Sequence, residues 1–172
     1  MVLKKLFRMR PSETAGRALY AAAVDQARTP ALYETLKAPD TVEGRFELYS
    51  LHVLMLIERL RGQGTQAAET SQALFDTYAS SLDDALREMG VGDLTVGKKM
   101  RRLAEAFYGR AKSYDAASDR AALEAFLQRT VYAGDVAAPV AGLADYVEAT
   151  RAELAAQPLG PILAGEVRWP AI

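Results

Sequence analysis

The stretch from Asp40 to Arg61, DTVEGRFELYSLHVLMLIERLR, constrains the fold of this chain more than any other. Placed on a helix at about 100° per residue, Val42, Phe46, Tyr49, Val53, Ile57 and Leu60 form one stripe, while Leu48, Leu51 and Met55 fall roughly opposite. A helix apolar on two sides needs cover on both. It is either the centre of a bundle or a helix whose second side is a groove for a client, and the pattern alone leaves both open. Asp40 and Glu43 have the spacing of a capping box at its start. Its most apolar run, Leu48 to Ile57, is about half the length that spans a bilayer, so a buried helix segment is expected rather than a membrane span.

The remaining sequence reads as further helices around that one. The first is expected from Ser12 to Arg28, and a short one follows from Thr29, with Pro30 at its first position, through Leu36. Gly62 and Gly64 break the long helix, Thr65 is the expected cap, and the next helix runs from Gln66 to Met89. Another is expected from Thr95 or Val96 to about Ala116, then one from a Ser118 cap through Val131, and a last from Val140 to Gln157, ended by Pro158. Gly134 to Pro139 is a loop, and the tail is punctuated by Gly160, Pro161, Gly165 and Pro170, with room for one turn before an extended EVRWPAI. No alternating strand pattern occurs. The expected fold is all-α, a single-domain bundle of about six to eight helices over residues 12–172, with an irregular C-terminal tail. Residues 1–11, MVLKKLFRMRP, form a basic segment that lacks the long apolar core of a secretory signal and reads as a frayed end or a short membrane-touching stretch.

Between the helices ending at Met89 and beginning near Thr95 lies a glycine-built corner, Gly90, Val91, Gly92, Asp93. Gly90 stands where a left-handed residue ends a helix, and Asp93 or Thr95 is expected to cap the next. Residues Gly92 to Lys99, GDLTVGKK, match a phosphate-cradling loop except at the last position, where Lys99 replaces the hydroxyl that would hold magnesium. A helix rather than a strand precedes it, so a capped helical corner explains the residues better than nucleotide binding. On the helix that follows, Val96, Met100, Leu103, Phe107, Ala111 and Tyr114 form the apolar stripe, and Lys98, Arg101, Arg102, Glu105 and Lys112 lie opposite. The basic patch Lys98, Lys99, Arg101 and Arg102 is a solvated face or a contact for RNA, acidic lipid or acidic protein. With a formal net charge of -1 and a pI near 5.9, any such contact is local.

Chemistry is constrained by what is missing. Without cysteine there are no disulfides, no thiolate nucleophile and no Cys-based metal site. His52 is the one histidine; Arg45, His52 and Arg59 recur every seven residues on a polar strip of the long helix, and a lone histidine makes a poor metal site. It reads as a satisfied, half-buried helix histidine. Asp83 and Asp84 are adjacent and point about 100° apart on a helix, so they form no carboxylate dyad. Nothing argues for an enzyme, and no cofactor, metal, DNA or small-molecule substrate is expected.

Four blocks, read in order, carry a resemblance: LYAAAVDQARTPALYETL (19–36), APDTVEGRFELYSLHVLMLIERL (38–60), QALFDTYASSLDDALREMGVGDLTVGKKM (72–100) and AEAFYGRAKSYDAA (104–117). Covering about half the chain, they resemble the ubiquinol-cytochrome c chaperone family, assembly factors for cytochrome b of respiratory complex III. The resemblance implies a non-enzymatic helical chaperone that holds newly made cytochrome b, working peripherally at the inner face of the cytoplasmic membrane and near the ribosome. Unlike mitochondrial members, the chain shows no long extension before Ser12. Recognition of an apolar client implies an apolar surface with rim charges, expected at Arg45, Phe46, Tyr49 and His52 together with the corner Met89, Val91, Asp93 and Lys98. The competing reading is an RNA- or ribosome-associated module that uses the basic helix 98–102.

Overall fold

Proline sets the φ angle that a first helical residue needs, and Pro11 opens the first helix, α1 (Pro11–Ala27), while the Glu13 carboxylate accepts from the backbone N–H of Arg10 at 3.0 Å. Seven more helices follow in this computed structural model, which describes residues 10–172: α2 (Pro30–Glu34), α3 (Val42–Leu60), α4 (Thr65–Glu88), α5 (Asp93–Asp115), α6 (Arg120–Thr130), α7 (Val140–Ala156) and α8 (Leu159–Leu163). The described residues contain no strand. The fold is an all-α bundle, as the periodicity predicts. Most of the basic N-terminal segment lies outside the described residues.

The cap of α2 is Thr29, as expected, that of α1 is Arg10 rather than Ser12, and those of α3, α4, α5 and α6 each lie one residue from expectation. Thr41, not Asp40, caps α3, its hydroxyl accepting from Gly44 N–H at 3.0 Å, and Asp40 instead accepts from Arg45 Nε at 2.6 Å. Asp119 rather than Ser118 caps α6, Gly64 rather than Thr65 precedes α4, and Gly92 precedes α5 without a side-chain cap. Neighbouring Asp, Ser and Thr residues all have capping chemistry, and the path by which the chain enters the helix decides between them.

The centre is α3. Every residue from Ser50 to Leu56 is buried, and Leu48, Leu51 and Met55 are 0–2% exposed, so the second apolar side is packed core along its middle. Around it stand α1, α4, α5 and α7. The closest helix pair is α1 with α4, and Gly16 allows the approach: a Cβ there would fall 2.7 Å from the backbone of Ala73 and Leu74. The cover ends before the first turn of α3, where Val42 is 67% exposed although it begins the apolar stripe.

Few charges are drawn inside. Arg110 of α5 donates to both carboxylate oxygens of Glu47 on α3 and lies over the Phe46 ring, 5.2 Å from its centroid. Nearer the other end of α3, Glu58 accepts from Arg151 Nε at 3.0 Å and from the Tyr114 hydroxyl at 2.6 Å. These pairs tie α5 and α7 to the central helix.

After α8 the tail runs without helix along the bundle. The Gln157 side chain donates to Arg168 O at 2.9 Å and accepts from Arg168 N–H at 2.8 Å, a two-point clamp on the backbone. That clamp seats Trp169 edge-on against His52, ring centroids 5.2 Å apart.

Candidate functional site

The α4–α5 corner is built by backbone geometry. Gly90 has φ +81°, which costs glycine nothing and any other residue a Cβ clash. Its N–H reaches Arg87 O at 2.9 Å, and Val91 N–H reaches back to Leu86 O at 3.0 Å, so the last carbonyls of α4 are satisfied as the chain turns. Gly92 is extended, Gly97 is helical, and GDLTVGKK is therefore a helix start with a helix before it. Asp93 is the first residue of α5, and its carboxylate pairs with Arg87, which also donates to Asp83 at 2.6 Å. One arginine thus bridges α4 to the beginning of α5.

Antiparallel α3 and α4 meet where Ser50 Oγ and the Tyr78 hydroxyl lie 2.8 Å apart. Counting along both helices at about 1.5 Å per residue from that contact, the first turn of α3 comes level with the last turn of α4. The corner therefore extends past the start of α3. Apolar side chains collect at this end without joining the central core. Met89 is 67% exposed and Leu94 fully so, Val91 is half-buried, and Val96 is buried but packs outside the central cluster.

The side chains singled out from sequence separate into three groups. Met89, Val91, Asp93 and Lys98 share the corner, all exposed except half-buried Val91. Lys98, Lys99, Arg101 and Arg102 are exposed, and none is in an ion pair among the described residues. Arg45, Phe46 and Tyr49 lie on α3, but their side chains are engaged: Arg45 with Asp40, Phe46 beneath Arg110, and the Tyr49 hydroxyl with Arg28 Nε at 3.2 Å. His52 stands apart from all three, with no exposed surface at all.

His52 is core rather than half-buried rim. Nδ1 lies 2.8 Å from Leu48 O and Nε2 2.7 Å from the Tyr146 hydroxyl, and that hydroxyl accepts from Gln26 Nε2 at 3.1 Å. A neutral ring that donates from Nδ1 and accepts at Nε2 satisfies both nitrogens. Burial pushes its pKa down to about 4, with the bond to Leu48 O opposing that shift. The recurrence of Arg45, His52 and Arg59 does not mark a polar strip at the surface: Arg59 turns to the backbone of Leu154 and Gln157, and His52 turns inward. The partners of His52 and Arg59 on α7 and just after it, Tyr146, Leu154 and Gln157, are about a hundred residues away, which no local pattern reveals.

Three exposed helix residues escaped the expectation, Val42, Leu94 and Tyr108. The wheel contained the signal for Leu94, which falls about 160° from Val96 and hence on the outer side of α5 with Lys98 and Arg101. A separate apolar cleft of about 390 Å³ opens between α3, α4 and α5, lined by Ile57, Phe75, Phe107 and Tyr108 and bordered by the Arg61–Asp115 pair at 3.0 Å. No helix among the described residues is long and apolar enough to cross a membrane, and no cluster of potential metal ligands occurs among them.

The family model for the ubiquinol-cytochrome C chaperone matches residues 34–169, from α2 to the docked tail. The chain belongs to this family. It is 31% identical to a protein whose crystal structure is described as the Cbp3 homolog from Brucella abortus, with 99% of this chain and 97% of that one covered at a TM-score of 0.86. It is also 25% identical over 97 residues to the ubiquinol-cytochrome-c reductase complex assembly factor 1 of Xenopus laevis, a match covering 56% of this chain. That match spans 48% of the relative, so the chain covers about half the length of the curated protein it resembles. The family is one of complex III assembly chaperones, not of enzymes.

Proposed function

We propose that this chain receives newly made cytochrome b and holds it during assembly of the ubiquinol-cytochrome c reductase complex. It does so without catalysis, from a peripheral position at the inner face of the cytoplasmic membrane. The observation that carries the reading is the collection of apolar side chains at the end where α3 begins and the α4–α5 corner projects. Val42 and Met89 are each 67% exposed there, with Val91 half-buried. Apolar surface left in water at one end of a bundle is the feature a chaperone for membrane segments requires. Arg45 and Lys98 supply rim charge, and the Asp93–Arg87 pair holds the corner in shape. His52 takes no part, and Phe46 supports the site from beneath Arg110.

The reading is tested by crosslinking in cells that assemble complex III, with recovery of cytochrome b compared between the parent chain and Met89→Asp or Val91→Asp. Both variants are expected to lose most of the captured cytochrome b while melting within a few degrees of the parent. Phe46→Asp is expected to lose stability as well, because it disturbs the Glu47–Arg110 pair. Unchanged capture by both corner variants would overturn the site, and failure of the parent to capture cytochrome b would overturn the client.

A further inference from the structure

The outer side of α5 carries a pattern of which client binding uses only Lys98, at the corner end. Leu94, Lys98, Arg101, Glu105, Tyr108 and Lys112 recur at intervals of three and four residues, so they stand in one row along the helix, with Arg102 beside them. Leu94 is fully exposed and Tyr108 61% exposed. The row from Leu94 to Tyr108 is about 21 Å long at 1.5 Å per residue. It holds one acid, Glu105, against Lys98, Arg101, Arg102 and Lys112, and none of these four cations is paired among the described residues. Among the described residues eight other cations sit in ion pairs with acids; these four do not.

We propose that the outer face of α5 docks on an anionic lipid surface, lying flat with Leu94 entering the headgroup boundary, Tyr108 at its edge, and Lys98, Arg101 and Arg102 meeting the lipid phosphates. Three properties favour lipid over an RNA backbone, which the cations alone would also suit. A leucine with no protein contact gains nothing from a phosphodiester chain but gains from the acyl boundary. Tyr108 at the far end of the row, its ring 5.7 Å from that of Phe75 yet still 61% exposed, has the amphipathic shape favoured at that depth. Long basic side chains between them can lay their methylenes along the boundary and keep their charges at the phosphates. The inference goes beyond capture of cytochrome b and does not depend on it, although a chaperone for a membrane protein gains from being held where its client emerges.

The test is flotation of the full chain with vesicles of phosphatidylcholine alone and with about one-third phosphatidylglycerol, at low and physiological salt. Binding is expected only to the anionic vesicles and is expected to weaken with salt. Arg101→Glu with Arg102→Glu is expected to reduce binding about tenfold or more, since each cation near such a surface contributes and each reversal adds repulsion. Leu94→Ser is expected to reduce it about threefold at unchanged charge. Both variants alter exposed residues, and unchanged helix content and melting temperature confirm that they fold. Equal binding to neutral vesicles, or full binding by the charge-reversed variant, would overturn the proposal. The second result would assign any lipid contact to the basic residues before Pro11. Failure of the parent to float, with single-stranded RNA bound and lost on charge reversal, would assign the face to RNA instead. Cytochrome b capture in detergent by the reversed variant reads separately, because it reports the corner and not the outer face of α5.

Discussion

The middle of α3 and the α4–α5 corner are made of similar residues and have opposite fates. Leu48, Leu51, Val53 and Met55 are sealed between neighbouring helices, whereas Met89, Val91 and Leu94 meet solvent in whole or in part. Apolar character therefore does not decide burial in this protein; position relative to the other helices does. Helix α3 is short enough to be covered along most of its length, and α4 and α5 run on past its first turn. An apolar side chain carried beyond the bundle has nothing of its own chain to pack against, and it becomes a surface for something else.

The sharpest way to break this comparison is to truncate one residue in each region. Leu48→Ala removes a fully buried side chain and is expected to cost about 3 kcal/mol of stability in urea unfolding. A loss below about 1 kcal/mol would mean that the centre is loosely packed. Next in size, Arg110→Ala strands Glu47, whose side chain is 11% exposed, and removes the cover from Phe46. The expected cost is about 2 kcal/mol, below that of a fully dry pair because Arg110 itself is 23% exposed. Replacing both residues, as Glu47→Leu with Arg110→Met, is expected to recover most of it.

His52 adds a test by pH. Its folded pKa of about 4 lies below the ordinary value near 6.5, so between these values the unfolded chain takes up a proton that the folded chain refuses. Stability contributed by the neutral ring is complete above pH 6.5 and is lost as pH falls toward 4. From pH 7 to pH 5 the loss is expected to be about 2 kcal/mol. In His52→Phe the variant is expected to be weaker at pH 7 but to lose that slope, and an unchanged slope would mean that carboxylates rather than His52 govern it. Smallest of all, Met89→Ala is expected to change stability by no more than about 0.5 kcal/mol, since no neighbour loses packing. A larger loss would place Met89 in a core after all.

Much of this molecule was legible one helix at a time. The helix ends around Pro30, Gly62, Gly90 and Pro158 follow from residues that cannot continue a helix, seven of the eight helices lie where periodicity and punctuation put them, and α8 is the single turn for which the tail had room. Even the helical start hidden in GDLTVGKK was readable, because Lys99 and the preceding amphipathic segment contradict a phosphate loop. The candidate site was half legible. The glycines announced the corner, and the wheel put Lys98, Arg101 and Arg102 on its outer side, but Val42 looked like core and His52 like rim.

Those two errors have one cause. Composition, helix periods, turn residues and the absence of cysteine are local properties, and they determined an all-α chain with a double-sided central helix and a rigid glycine corner. Which side chains end up in water depends on what arrives from far along the chain. Tyr146 and Trp169 close over His52, Arg110 closes over Phe46, and among the described residues no distant element covers Val42, Met89 or Leu94. A helical wheel orders side chains by direction, but burial is a property of pairs of helices, so only the tertiary structure could decide which apolar stripe became core and which became surface.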